Sequence, residues 1–318
     1  MKKKFVNETY IEGLLYEHDL KIKVTGKDSK APGTEFITGK VSIATDDNCT
    51  NVVEVHYTYV VATYASGTAN GNYTTLKKII DGELKTVMGA GKENASVVKI
   101  DSAIALNEFY SDKTGQSTLV SAKRNEGGFI HVINPSELRE NPADRATFKC
   151  DMLITGVTRK DADEERGIPE KVILKGAIFD FRKSLMPIEF SVTNPKAMDY
   201  FEGLEISQRN PVFTNVWGKQ ISESVIKRIV EESAFGEDYV RETKSSRKDY
   251  VVTGVRRESY EFDSEETITV AELNELIAAR ETSLAAMKKR QDDYKNSRNN
   301  APAINMTKPS DPVGVYNF

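Results

Sequence analysis

The chain has 318 residues, 39% of them hydrophobic and 29% charged, with a formal net charge of −4. That balance fits a soluble globular chain of about two domains, and it excludes a whole-chain polycation, so any anion-binding surface must be local. No run approaches the roughly 20 apolar residues of a membrane span, and the basic start "MKKKFVNETY" has no apolar stretch behind it, so neither an anchor nor a signal peptide is expected.

The first half is rich in strand patterns. "YIEGLLYEHDLKIKVT" reads as one strand with Gly13 inside it, and "TEFITGKVSIATDD" as a second, interrupted by Gly39. A glycine inside a strand marks a bulge or the tight bend of a small barrel. "VEVHYTYVVATY" alternates, with Val53, Val55, Tyr57, Tyr59 and Val61 on one face and Glu54, His56 and Thr58 on the other. "TTLKKIIDGEL" is a short helix, and strands return in "SVVKIDSAIALNEFYSD" and "STLVSAKRNEGGFIHVIN". The polar, proline-containing "NPSELRENPADRAT" reads as a linker.

The same order then recurs as pattern, not as identity: "TFKCDMLITGVTRK", the charged turn "DADEERGIPE", the strand pair in "KVILKGAIFDFRKSLMPIEFSVTN", the short helix "AMDYFEGLEI", and "NPVFTNVWGKQIS". "SESVIKRIVEESAFGED" is expected to be a helix, capped by Ser222, stopped by Gly236, with Val225, Ile226, Ile229 and Val230 as its apolar stripe. "RETKSSRKDYVVTGVRRESYEF" is extended. The last helix opens on a capping box, Thr269 with Glu272, and places Val270, Leu273, Ile277, Leu284, Met287 and Tyr294 on one seam, which Arg280 and Gln291 interrupt. Docking on the second barrel is the first reading of that seam; self-association of two chains uses the same spacing.

The expected fold is α+β, mainly β with a few helices. Two tandem small barrels of the five-stranded OB type occupy 1–134 and 148–263, joined by a linker at 135–147. A C-terminal amphipathic helix follows at 264–297, then a disordered tail at 298–318.

The catalytic constellations are missing. "GAGKENAS" lacks the spacing of a phosphate-binding loop. His18, His56 and His131 are scattered strand residues, and "DADEER" is a solvated turn. Cys49 and Cys150 make no metal-ligand spacing and read as reduced thiols in a cytoplasmic setting. No catalytic, metal or cofactor site is expected.

Cations mixed with rings are more informative. Lys123 and Arg124 lie near Phe129 and His131. Phe179, Phe181, Arg182 and Lys183 stand together, and in a strand Phe179 and Phe181 would share a face. Lys244, Arg247, Lys248, Arg256 and Arg257 accompany Tyr250 and Tyr260, so Arg241–Tyr260 holds six cations against three anions in a chain that is negative as a whole. Single-stranded nucleic acid calls for this mixture: cations follow phosphates, and flat rings stack on bases without reading them.

The stretches "FITGKVSIATDDNCTNVVEVHYTYV", "LVSAKRNEGGFIHV", "KGAIFDFRKSLMPIEFSVTNPKAMDYFEGLE" and "VWGKQISESVIKRIVEESAFGEDYVRE" resemble a protein family of tailed phages of gut bacteria, over about Tyr10 to Tyr294. The layout also resembles phage and bacterial single-stranded DNA-binding proteins, whose OB core precedes a disordered tail with an aromatic end that docks on replication proteins. The resemblance implies single-stranded DNA as partner, in phage replication or recombination in the host cytoplasm. In "SDPVGVYNF" it makes Tyr316 and Phe318 docking anchors; only Phe318, with Asp311 and Pro312 as faint echoes, matches the familiar tail, whose acidic run is reduced here to one Asp. A virion structural protein built from two β-domains is the alternative.

Overall fold

The computed structural model describes residues 5–27, 29–112, 117–163, 168–231, 235, 239–264 and 267–299, with side chains throughout except in 224–231, 239–246 and 297–299. Chain order gives β1 (Asn7–His18), β2 (Lys21–Val24), β3 (Glu35–Ala44), β4 (Val52–Val61), α1 (Gly71–Ile80), α2 (Val87–Ala90), β5 (Val97–Ser111) and β6 (Thr118–Val132). It continues with β7 (Ala146–Lys160), β8 (Lys171–Phe179), β9 (Leu185–Val192), α3 (Pro195–Gly203), β10 (Val212–Glu231), β11 (Tyr239–Val255) and α4 (Val270–Asn299). No helix among the described residues is long and apolar enough to cross a membrane.

Two rings account for the sheet. The first runs β1–β3–β4–β6–β5 and closes back on β1; the second runs β7–β8–β9–β11–β10 and closes on β7. In each, the third and fifth strands pair in parallel and the other neighbours are antiparallel. A helix follows the third strand, α1 in one ring and α3 in the other. This is the connectivity of the five-stranded OB barrel, twice. The stretch expected as one strand from Tyr10 to Thr25 divides into β1 and β2, because β2 leaves the ring to pair only with β3.

Alternation fills both interiors. Ile11, Val41, Ile43, Val55, Tyr57 and Ile100 pack in the first barrel with Leu76 and Ile79 of α1 over one end. Phe148, Cys150, Met152, Leu174 and Phe190 pack in the second with Met198 and Phe201 of α3. Two of the expected glycine bulges are present, as register shifts at Gly39 and Gly156. At the first, Gly39 opposes Tyr57 and Ile37 opposes Val60, so Thr58 and Tyr59 together oppose one residue of β3. Gly39 has φ +133°, and a Cβ there would lie 2.8 Å from Leu20 Cα.

The barrels are fused along their first strands. The start of β1 pairs antiparallel with the start of β7, from Asn7↔Cys150 to Ile11↔Ala146. Each strand then turns to the second strand of its own barrel. One six-stranded surface results, β6–β5–β1–β7–β10–β11. The segment read as a linker lies packed: the buried Arg145 donates to Arg139 O at 2.8 Å and to Asp47 Oδ1 at 2.9 Å.

Four expectations are corrected. Residues 222–231 form no helix but continue β10, paired with β11 from Ser222↔Lys248 to Glu231↔Tyr239. Val225, Ile226, Ile229 and Val230 are all β-branched, which favours the strand once a partner supplies hydrogen bonds; Gly236 lies outside the described residues. Tyr59 does not share the buried face of Tyr57, because the bulge moves it out to 50% exposure. Phe179 and Phe181 do not share a face: β8 ends at Phe179, which is buried, and Phe181 sits in the following turn. On α4 the capping box is present, with Glu272 N donating to Thr269 Oγ1 at 3.1 Å, but the seam is rotated. Val270, Ile277 and Tyr294 face outward, whereas Arg280 and Gln291 make the contacts.

Candidate nucleic-acid interface

The fourth and fifth strands of each barrel extend past their ring as a two-stranded arm, and each arm reaches the other barrel. On the first arm, Lys123 of β6 donates to Glu189 O of β9 at 2.5 Å. The second arm leans on the loop before β4: Ser222 N donates to Asn51 Oδ1 at 2.6 Å, and Asn51 bridges to Glu223. Asn125 ties the crossing together. Its amide donates to Glu54 O at 3.0 Å and to Gln220 Oε1 at 2.8 Å, and its carbonyl accepts from Tyr250 Oη at 3.0 Å. A buried amide with its hydrogens used is inexpensive and specific, whereas a half-satisfied one would be costly.

Around this crossing the two barrels bring cations together. Lys123, Arg124, Lys248 and Tyr250 line one cleft with Glu54 and His56. The cleft holds only about 80 Å³, well below a small-molecule pocket of roughly 300 Å³ or more, so its rim and not its depth is available. Lys123 has an exposed stem, but its ammonium stands 5.5 Å from the centre of the Tyr250 ring, and burial draws its pKa down. Arg124 pairs with Glu126 at 2.8 Å and reaches Thr58 Oγ1 at 3.4 Å. Lys40 of β3 and Lys248 of β11 both bind the Glu54 carboxylate, Lys248 at 2.6 Å. Burial pushes Glu54 upward, but hydrogen bonds and charge from Lys248 and Lys40 outweigh it and hold its pKa at about 2. His56, half-buried, is drawn down by burial and by Arg124.

Along β4 this cation group runs into rings. Glu54, His56 and Thr58 face out in alternation and lead to Tyr59, about 17 Å from Glu54 along an extended strand. The Tyr59 ring lies 4.7 Å from that of Phe36, whose backbone neighbour on β2 is the exposed Lys23. This is the second-and-third-strand face of the first barrel, the surface with which OB barrels bind oligonucleotides.

A family model named YorF matches residues 6–289, which takes in both barrels and most of α4. The chain belongs to the YorF family. No curated protein sequence matches it. Among solved structures, a deletion mutant of the single-stranded DNA binding protein from Thermus aquaticus is similar at 10% identity with a TM-score of 0.44, over 83% of this chain and 99% of that one.

In this YorF-family chain the other expected site residues lie apart from the cleft. Phe179 is 0% exposed and stacks on Phe5 at 4.2 Å, so no base reaches it. Phe181 is 86% exposed, with Arg182 5.0 Å from its ring centre and Lys183 over Phe5 in the same turn. Phe129 is exposed beside His131 on the outer surface of β6. Arg247 is half-buried on β11, and its Nε has no hydrogen-bond partner among the described residues. Arg256 lies over Tyr260 at 4.5 Å, and Arg257 is exposed just beyond β11. The backbone of Lys244 pairs with Ile226, but its side chain lies outside the described residues, as do Tyr316 and Phe318.

Sequence reasoning missed Phe36, Tyr59, Lys40 and Glu54. Tyr59 and Glu54 stood in a recognised strand, and a one-residue bulge is the signal that would have turned Tyr59 outward. It also missed Trp217, the single tryptophan, which faces a groove of about 760 Å³ across the β1–β7 seam with Tyr10, Lys149 and Lys219. Among the described residues no group of three or more His, Cys, Asp or Glu side chains is placed to hold a metal ion.

Proposed function

We propose that this chain is a sequence-tolerant, non-enzymatic single-stranded DNA-binding protein. One observation carries the reading: cations of both barrels, Lys40, Arg124 and Lys248, converge at one end of an OB second-and-third-strand face whose other end exposes Tyr59, packed on the half-buried Phe36. Cations suit phosphates and rings suit bases of any identity, so affinity without sequence reading follows. The resemblance noted in the sequence adds a setting, phage DNA replication or recombination in the host cytoplasm. It also adds a docking role for Tyr316 and Phe318, and the outward residues of α4 leave room for self-association.

Titration with fluorescent oligo-dT at several salt concentrations tests the function. Binding is expected, with log K falling linearly against log salt by about 0.7 per phosphate neutralised. No binding at low salt, or binding indifferent to salt, would remove the reading.

A further inference from the structure

The carboxylate that joins the two barrels sits between two lysines, one from each barrel. Lys40 comes from the second strand of the first barrel and Lys248 from the fifth strand of the second. They bind different oxygens of Glu54, Lys40 on Oε1 and Lys248 on Oε2. Two ammonium groups held on two oxygens of one anion are what a backbone phosphate, with its two non-bridging oxygens, would also accept. The pair is open to solvent: the Lys248 side chain is 60% exposed and that of Lys40 30%. Nearby, Arg124 is held in the same manner by Glu126. Four cations, Lys40, Lys123, Arg124 and Lys248, therefore stand around the cleft with the carboxylates Glu54, Glu126 and Asp249 and with His56.

We propose that Lys40 and Lys248 form a phosphate subsite spanning the two barrels, that Glu54 occupies it in the free protein, and that a phosphate of single-stranded nucleic acid enters by displacing the Glu54 side chain. This rests on the nucleic-acid reading above and adds the site of one phosphate to it. The exchange replaces one anion by another on the same two lysines, so it costs little electrostatically. It also favours a polyanion over a lone anion, since a strand has neighbouring phosphates that displace counterions elsewhere. Only Lys248 is largely exposed, so its hold on Glu54 is the weak one; the carboxylate, one-quarter exposed, regains solvent as it leaves, and self-occupancy can be overcome.

Glu54→Gln keeps the shape and removes the charge. Oligo-dT affinity, read by fluorescence anisotropy, is expected to rise about two- to fivefold, the worth of one exposed ion pair. The slope of log K against log salt should steepen by at most about 0.7, the share of the one phosphate held there as its neutralisation goes from partial to full. Lys248→Gln, at an exposed side chain, is expected to do the reverse, with lower affinity and a shallower slope. If wild type binds oligo-dT but Glu54→Gln leaves affinity and slope unchanged, or lowers them, the subsite is overturned while the function stands. The same holds if Lys248→Gln leaves binding unaltered. If wild type does not bind, both readings fall together.

Discussion

Tyr59 and Phe36 hold their rings 4.7 Å apart on an open face, whereas Phe179 stacks on Phe5 in a buried cluster with Leu153, Leu185 and Phe213. The difference is one of backbone: a bulge turns Tyr59 outward, and the end of β8 leaves Phe179 inward. Tyr59→Ala is expected to weaken oligo-dT binding by about 1–3 kcal/mol, roughly five- to 150-fold, with the melting temperature almost unchanged. Phe179→Ala should do the opposite. It removes about 3–5 kcal/mol of stability, read from urea unfolding, and leaves the affinity of the folded fraction intact. Phe179 stands beside Arg182 and Lys183 in the sequence, whereas the Lys and Arg residues nearest Tyr59 are Lys40 and Lys77, so neighbourhood pointed to the wrong ring. Lys123, Arg124 and Lys248 were legible as candidates because charge is written in the residue. Their shared destination was not, since Lys123 and Lys248 meet only through the crossing of two arms.

Among the elements, α4 is the one whose polar residues matter most. Its inward line runs through Leu273, Leu276, Arg280, Leu284, Met287 and Gln291. Arg280 binds Glu108 Oε1 at 2.6 Å and Leu185 O at 3.2 Å, so one side chain pins the helix to both the first arm and the β8–β9 turn. Gln291 adds a bond to Tyr110 O at 2.9 Å. Arg280→Ala leaves the shielded Glu108 carboxylate without its cation, at about 1–3 kcal/mol. Hydrogen exchange should report it: amide protection in α4 is expected to fall while that of β1 holds. The capping box and length of this helix were readable in the sequence. Its facing was not, because a 3–4 spacing of apolar residues fits several rotations, and an ion pair at the contact chose among them. The run 222–231 failed for a related reason: helical spacing and two β-branched pairs, Val225–Ile226 and Ile229–Val230, coincide there, and only the partner strand β11 decides.

At the scale of the whole molecule, Glu54 links the barrels through Lys40 and Lys248, and this link is sensitive to acid. Its pKa is about 2 in the folded chain against an ordinary 4.5. A depressed carboxylate stabilises fully above its unfolded value and loses that contribution as pH falls. The loss therefore falls between about 4.5 and about 2. Urea midpoints measured across that window should decline more steeply for wild type than for Glu54→Gln, the difference isolating this group from other carboxylates. The sequence by itself determined a mainly β chain with two glycine-interrupted strand sets, each with one short helix, because alternation, bulge glycines and caps are local properties. Only the tertiary structure decided that β1 and β7 fuse the barrels, that the arms cross, and that Lys40, Arg124 and Lys248 share a face with Tyr59. Those outcomes depend on contacts such as Lys123 with Glu189, 66 positions apart, and Lys248 with Glu54, 194 apart, which no local pattern encodes.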